Sequence, residues 1–359
     1  MSFEILKFEV PGGSAGTSRE FCTRLKDAYI EPISATVNNK IQSNYVNVWH
    51  DNMKVVAGID KQLQIQGSPG TIYDPKSLND SVVYDEYVDD SICFIHDEAG
   101  INYQHFFFCF FGRFYYFDEL RKTQKIKLGI LEDFYTDVGN STFIKEWINL
   151  CYGKDVEIVV LKKNIRYKIR DLILPNAFYC FPQPSGYRHI VDMIRKVVDK
   201  VKPFEGPSKK GVYISRQDTI KRGWYHGREM KNELELIELI KTELGFDIIE
   251  LMDYNMGDKI RIFKSYKNII QQHSASTTNI LFSNPKTYHF LIENPQQNWW
   301  LTPKCEEWST MTNSRLIKIS GQGELLESEM DPNSLDRNNI PWRLNNVESI
   351  VDSIKQYIG

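Results

Sequence analysis

Beyond residue 210 the chain alternates short apolar runs with longer stretches of helical period. Gly211 to Ser215 (GVYIS) is apolar and β-branched and runs into Arg216, which predicts a short buried strand. Asn232 to Leu244 places Leu234, Leu236, Ile237, Leu239 and Ile240 on a broad apolar face, and Gly245 stands at the left-handed position that ends such a helix. Phe246 to Leu251 predicts a second strand, Lys259 to Lys267 a short helix, and Asn268 to Gln271 a third strand. A small polar turn, His273 to Thr278, opens a further helix, and His289 to Ile292 is again a strand. This alternation predicts an α/β fold, a parallel sheet with helices on both faces.

The first half is less regular. Ser18 to Ala28 reads as a helix, and Met53 to Asp74, broken by glycines and Pro69, reads as a β-meander. A strand at Ser91 to Ile95 lies in an acidic stretch whose charges read as a solvated rim. Ile101 to Leu120 is apolar on every side and predicts a buried helix with His105 near its start. Lys127 to Leu131 is a strand with Glu132 and Asp133 at its carboxyl end, where exposed turn residues and catalytic acids are both found. A helix capped by Ser141 (to Cys151), strands at Val156 to Leu161 and Lys168 to Leu174, and a helix at His189 to Lys202 complete a second doubly wound pattern. Pro203 to Gly211 interrupts it as a linker. Trp299, Trp300 and Trp308 mark a packed return segment, Gly321 to Asn339 a polar loop, and Val347 to Ile358 a final helix. The expected plan is an N-terminal α/β domain over 1–202, a linker over 203–210, a C-terminal α/β domain over 211–340 and a closing helix over 341–359.

Composition narrows the function. A chain of 359 residues has room for two ordinary domains, and a net charge of −3 offers no general field for nucleic acid. Lys200 to Lys231 is locally basic and includes Trp224 and Tyr225; a solvated face and the surroundings of a nucleotide diphosphate both fit it. Six scattered cysteines without a CxxC pair point to thiols in a reducing compartment. The segment MSFEILKFEV lacks the pattern of a signal peptide, and the apolar run Phe106 to Phe117, broken by Gly112 and Arg113, falls short of the roughly 20 residues that cross a bilayer. The expectation is a cytoplasmic protein without a transmembrane segment.

In open parallel sheets ligands bind where strands end and helices begin. One such end carries Ser215, Arg216, Arg222, Arg228 and Asn232; another carries His273, Ser274, Thr277, Thr278 and Asn279. The second is a helix start with small polar side chains, which suits a phosphate, and arginine is a forked, permanently charged phosphate partner. Together they read as a diphosphate site. Serine and threonine before a helix also act as plain caps, and both readings stand at this level.

The pattern Ile214-Ser215-Arg216, Arg228, Asn232-Glu233, a helix, Gly245-Phe246, then His273-x-Ala275 with Asn279-x-x-Phe282 resembles the donor half of the family-61 glycosyltransferases. That family includes plant xylan-decorating enzymes, animal protein O-GlcNAc and O-mannose-extending enzymes and bacterial capsule proteins. Where the family usually has His-Gly-Ala this chain has His273-Ser274-Ala275, and where it usually has glutamine this chain has Lys259. In the first half Asn102 and His105 match the family's Asn-x-x-His, while Cys109 occupies the position of its aspartate.

The resemblance implies a GT-B-like fold: two Rossmann-type doubly wound domains facing a central cleft, with the C-terminal helix returning to the first. It implies an inverting transfer of a sugar from a nucleotide diphosphate, UDP favoured, to a glycan or glycoprotein hydroxyl, without cofactor or metal. On the donor side it places Ser215, Arg216, Arg228, Asn232, Lys259, His273, Ser274, Ala275, Thr277, Thr278 and Asn279. Asp253 would cover the base and Glu293 would accept from ribose hydroxyls. On the acceptor side it places Asn102 and Arg113, with His105 as base and Asp133 or Glu132 as alternatives. A bacterial or viral-type soluble enzyme is expected, unlike the secretory plant and animal relatives. Three other readings are a non-catalytic sugar-nucleotide-binding or scaffold subunit, a nucleic-acid-binding protein using Lys200 to Lys231 with Trp224 and Tyr225, against which the acidic overall balance speaks, and another two-domain α/β enzyme such as an epimerase; the lack of GxGxxG after the first strand weakens a dehydrogenase-like version.

Overall fold

A computed structural model describes residues 3–7, 21–37, 40–50, 53–57, 71–74, 84–96, 102–137, 142–175, 187–206, 209–222, 229–295, 298–320, 322–327 and 340–358. The chain divides into two units, 1–193 and 194–359. The first contains β1 (Phe3–Lys7), β2 (Phe21–Val37), β3 (Lys40–His50), β4 (Met53–Ala57), β5 (Thr71–Asp74), β6 (Glu86–Phe94), β7 (Lys127–Leu131), β8 (Ile158–Leu161) and β9 (Tyr167–Pro175). They form one sheet in the order β5-β4-β3-β2-β9-β6-β7-β8, with β1 also on β2. The pairs β9–β6, β6–β7 and β7–β8 are parallel, whereas β2 pairs antiparallel with β1, β3 and β9. The expected doubly wound sheet is therefore the parallel half of a mixed one.

The helix expected at Ser18 to Ala28 is instead the start of β2. Asp27 has φ 51°, and the buried positions change phase across it, from Thr23 and Leu25 to Ala28 and Ile30. The resulting three-residue step from Leu25 to Ala28 imitates a helical period. Within the stretch expected as a meander, β4 and β5 pair antiparallel from Lys54↔Asp74 to Ala57↔Thr71.

Helix α1 (residues 103–120) is buried as its all-round apolar sequence requires. It opens as an α-turn (Tyr103–His105), widens to a π-helix (Phe106–Phe110), tightens to a 3-10 turn (Phe111–Arg113) and ends as α-helix (Phe114–Leu120). Its rings pack on α2 (Thr142–Tyr152): Phe107 and Phe111 stand 4.9 and 5.5 Å from Trp147, and Phe106 stands 5.3 Å from Phe143.

Helix α3 (Tyr187–Lys200) carries the division between units, which falls after Met193 rather than in the expected linker. Its second half is held within the second unit. Lys264 donates to the carbonyls of Val198 and Val201 at 3.0 and 2.6 Å, and Arg195 donates to those of Leu281 and Ser283 at 3.1 and 2.8 Å. The linker region is tied in as well, by the Phe204 N–H to Ser265 Oγ at 3.1 Å.

The second unit is built on β10 (Lys209–Ser215), β11 (Asp247–Glu250), β12 (Tyr266–Gln272), β13 (Tyr288–Ile292) and β14 (Arg315–Ile319). All pairs are parallel, in the order β11-β10-β12-β13-β14. Between strands run α4 (Gln217–Lys221), α5 (Glu233–Leu239, continued by a π-turn, Ile240–Leu244), α6 (Met256–Ser265), a 3-10 helix (Ala275–Phe282) and α7 (Asn298–Met311). Gly245 ends α5 at φ 65°, as its sequence position indicates. The next residue, Phe246, lies so close to Gly211 that a Cβ there would meet its ring at 2.2 Å. A short antiparallel pair, β15 (Gly323–Leu325) and β16 (Trp342–Leu344), precedes α8 (Val347–Ile358).

The expectation that the closing helix returns to the first domain is corrected here. Val347, Ile350, Val351 and Ile354 of α8 are buried in one core with Leu236, Ile240, Phe290 and Trp342 of the second unit. Helical spacing defines an apolar face but not its partner; here that face is covered by α5 and the second sheet.

Candidate functional site

Numbered along the chain, the second sheet has the order 2-1-3-4-5, which reverses between β10 and β12. At such a reversal the connections leave to opposite faces and a crevice opens at the carboxyl ends of the two strands. Ile214 pairs with Gln271, so Arg216 and His273 each stand two residues beyond that pair, on neighbouring strands. The two polar ends found in the sequence are thus brought side by side.

The β10 end is shaped by Glu233, whose carboxylate is fully buried in the first turn of α5. One oxygen accepts the Tyr213 hydroxyl at 2.8 Å and the Arg216 backbone N–H at 3.0 Å; the other accepts Gln217 Nε2 at 2.7 Å. The Tyr213 oxygen in turn accepts Gln272 Nε2 at 2.9 Å, which carries the network across to β12. Burial first, and then the Glu233 charge, push the Tyr213 phenol well above its ordinary range, so it stays protonated. Ser215 Oγ accepts the Gln217 N–H at 3.1 Å. Asp218, also buried, accepts Thr219 N–H at 2.6 Å and Met252 N–H at 2.8 Å, tying α4 to the turn after β11.

At the β12 end the His273 backbone N–H donates to Ile292 O at 3.1 Å and its ring is 1% exposed. Burial lowers its imidazole to about 4, so it is neutral at pH 7. Among the described residues no protein group meets either ring nitrogen of His273, the amide of buried Gln271 or the hydroxyl of buried Thr278. Unmet buried polar groups are uncommon and costly, and they gather where a ligand or ordered water completes the site.

The segment that follows is a 3-10 helix and not the α-helix its polar start suggested. Thr277 Oγ1 accepts the Ser274 N–H at 3.2 Å, and the Thr277 N–H goes to Ser274 O at 3.1 Å. The capping reading is therefore the one that describes this pair. Ser274 has φ −164°, extended backbone open to any residue, so serine in place of the family's glycine brings no strain. Ala275 is half-buried, and Thr278 and Asn279 are buried along the same helix.

Other expected donor residues lie around this crevice with varied duties. Lys259 is half-buried in the first turns of α6, the helix that leaves β11. Asp253, in the turn after β11, is exposed and ion-paired with Arg222. Asn232 is committed to the fold: its amide donates to Leu344 O at 3.0 Å and accepts Leu344 N–H at 2.9 Å. Glu293, at the end of β13, is buried and accepts the hydroxyls of Thr302 and Ser320, fastening α7 and the β14 end. Arg228 lies outside the described residues.

In the first unit Asn102 caps α1, its side-chain oxygen accepting the N–H groups of Gln104 and His105 at 3.1 and 3.3 Å. His105 is half-buried. Because α1 follows β6, and Glu132 and Asp133 follow its neighbour β7, these groups share one edge of the first sheet. Asp133 is paired with Lys163 at 2.8 Å, and Glu132 is exposed. Arg113, further along α1, is 8% exposed. The side chain of Cys109 lies outside the described residues, as does Ser141.

Glu233, Tyr213, Gln272 and Asp218 are the site-forming residues that sequence reasoning passed over. Asn232-Glu233 carried part of the resemblance, but the task of the glutamate shows only once Tyr213 and Gln272 are beside it. The remaining signal was polar residues at the ends of strands that are otherwise apolar.

These features define an α/β protein with polar residues gathered at the switch point of a parallel sheet. A protein-family comparison matches residues 103–289, more than half of the chain, to Glycosyltransferase 61. The chain belongs to glycosyltransferase family 61, as the resemblance indicated, and the family implies a sugar donor and an acceptor as substrates. The match runs from the start of α1 into β13 and so includes His105 and both sides of the crevice. No curated protein matches the chain. Among the described residues no helix is long and apolar enough to cross a membrane, and no three His, Cys, Asp or Glu side chains gather as metal ligands.

Proposed function

We propose that the protein transfers a sugar, with inversion, from a nucleotide diphosphate donor to a hydroxyl of a glycan or glycoprotein, in a GT-B-like manner. UDP is the favoured nucleotide. The observation that carries this reading is the juxtaposition of Arg216 and buried, unmet His273 at the order reversal of the second sheet. Arg216 offers a permanent charge to the diphosphate oxygens, and neutral His273 offers one ring N–H. Lys259 adds a second cation, and the Ser274 to Thr278 segment adds hydroxyls. As the bond from the anomeric carbon to the diphosphate breaks, these groups meet the growing negative charge without reorganising. The acceptor oxygen forms its bond to the same carbon from the opposite side, and His105 is the proposed acceptor of its proton. Asp133, held by Lys163, and exposed Glu132 are the alternative bases.

The test is a thermal-shift series with UDP, GDP and dTDP and their sugars. UDP is expected to raise the midpoint of the wild-type protein and to leave Arg216→Ala unmoved. Absence of any shift with all three nucleotides would refute the donor reading. Cys109 in place of the family's aspartate supports a second reading, a non-catalytic sugar-nucleotide-binding subunit. Hydrolysis of the donor without acceptor excludes it.

A further inference from the structure

We infer that Glu233 is the positioning residue of the donor crevice, acting through Tyr213 and Gln272 to fix the ends of β10 and β12 against each other. The inference rests on the switch-point crevice being the donor site. The Glu233 carboxylate accepts the Arg216 backbone N–H at 3.0 Å. That bond holds the chain where it leaves β10, at φ −108° and ψ 11°, the first residue beyond the strand.

The other two bonds act on the surroundings. Gln217 Nε2, on the second oxygen, fixes the opening turn of α4. Tyr213 uses its hydroxyl in both directions, donating to Glu233 and accepting from Gln272, the last residue of β12 before His273. A carboxylate in the first turn of a helix is also favoured by the helix dipole, so the anchor itself is stable where it stands. One buried group therefore links α5, α4 and both strands that flank the crevice. Among the described residues Gln271 and His273 meet no protein group through their side chains. The polar residues near the switch point thus divide into those that hold the frame and those left to a ligand.

A purely structural role predicts lower stability with unchanged donor binding, so the experiment reads both. Tyr213→Phe removes one hydroxyl and keeps the ring; Glu233→Gln keeps the shape and removes the charge. Each full-length variant is measured for melting temperature, UDP affinity by calorimetry, donor and acceptor KM, and kcat. UDP Kd and donor KM are expected to rise roughly tenfold to a hundredfold, in line with small misplacements at a site, with acceptor KM unchanged. The double variant is expected to be no weaker than Glu233→Gln alone, because both changes cut one network, and Glu233→Asp is expected to recover part of the affinity. A Kd within twofold of wild type in both single variants, whatever the melting temperature, overturns the inference. Failure of the wild type to bind UDP, GDP or dTDP overturns the donor reading and this inference with it. Wild-type binding that survives both substitutions overturns this inference alone.

Discussion

At the carboxyl edge of the first sheet, His96 lies between the rings of Phe94 and Phe134, 5.9 and 6.0 Å away, and Asp133 is paired with Lys163. At the carboxyl edge of the second, a buried glutamate organises two strand ends, and the imidazole next to it meets no protein group among the described residues. The first edge is closed by aromatic packing, with the half-buried His105 at the start of α1. The second is polar to its base. The difference teaches where the proposed donor site belongs: the second edge gathers a buried carboxylate, a phenol and amides, whereas the first is mainly aromatic.

His105→Ala should separate the two edges most sharply. Transfer is expected to fall roughly 10²–10⁴-fold, the usual contribution of a general base, while UDP affinity stays at the wild-type value. Full transfer activity in this variant would remove His105 from the chemistry and move attention to Asp133 and Glu132.

Acid should break the comparison in the other direction. The unfolded His273 imidazole takes a proton below about pH 6.5, whereas the folded one, kept neutral by burial, resists until about 4. Each step down across that window favours the unfolded chain, so its share of stability is complete above pH 6.5 and is lost toward pH 4. The shift corresponds to about 3 kcal/mol. His289, fully buried against Phe263 and lowered by burial to about 3, acts in the same sense. In the first unit burial opposes the charge of Asp171, but Arg24, Ser91 and Lys26 outweigh it and hold the carboxyl at about 2. Its contribution is present above the ordinary carboxylate range and fades only from about pH 3.9 downward. The second unit should therefore lose protection first on acidification, read by hydrogen exchange at peptides from each unit between pH 7 and 4. Equal loss in both units would contradict the assignment.

Asn232→Ala is the smallest of these effects. It removes two hydrogen bonds to Leu344, for which about 1–2 kcal/mol of unfolding free energy is expected. With UDP affinity unchanged, the result would mark Asn232 as a fold residue; a large loss of affinity would return it to the site.

Much of the second unit could be read from local pattern. Val347–Ile358 was expected at its observed bounds, and the strands from Gly211 to Ile292 were placed within about two residues, because buried parallel strands have short, plainly apolar sequences, whereas β14 was not expected. The strand order could not be read. Nothing in the run GVYIS states that its neighbours are β11 and β12, and the crevice exists only because of that choice. The same limit concealed Glu233, whose partner Tyr213 is twenty residues away, and the destination of α8. Two local signals misled in their own right. Asp27 shifted the alternation of β2, and the hydroxyl-rich start at Ser274 looked like an open helix end although Thr277 closes it.

Helix α3 has a practical consequence for dissecting the protein. A fragment begun at Pro203, where proline and glycine invite a cut, would lack Arg195 and the carbonyls of Val198 and Val201. Arg195 holds the carbonyls of Leu281 and Ser283, at the far end of the short helix that starts beside His273. Lys264 would be left without its acceptors, and the floor of the crevice would lose its rear fastening. A gene fragment meant to yield a working second half should begin upstream of Tyr187.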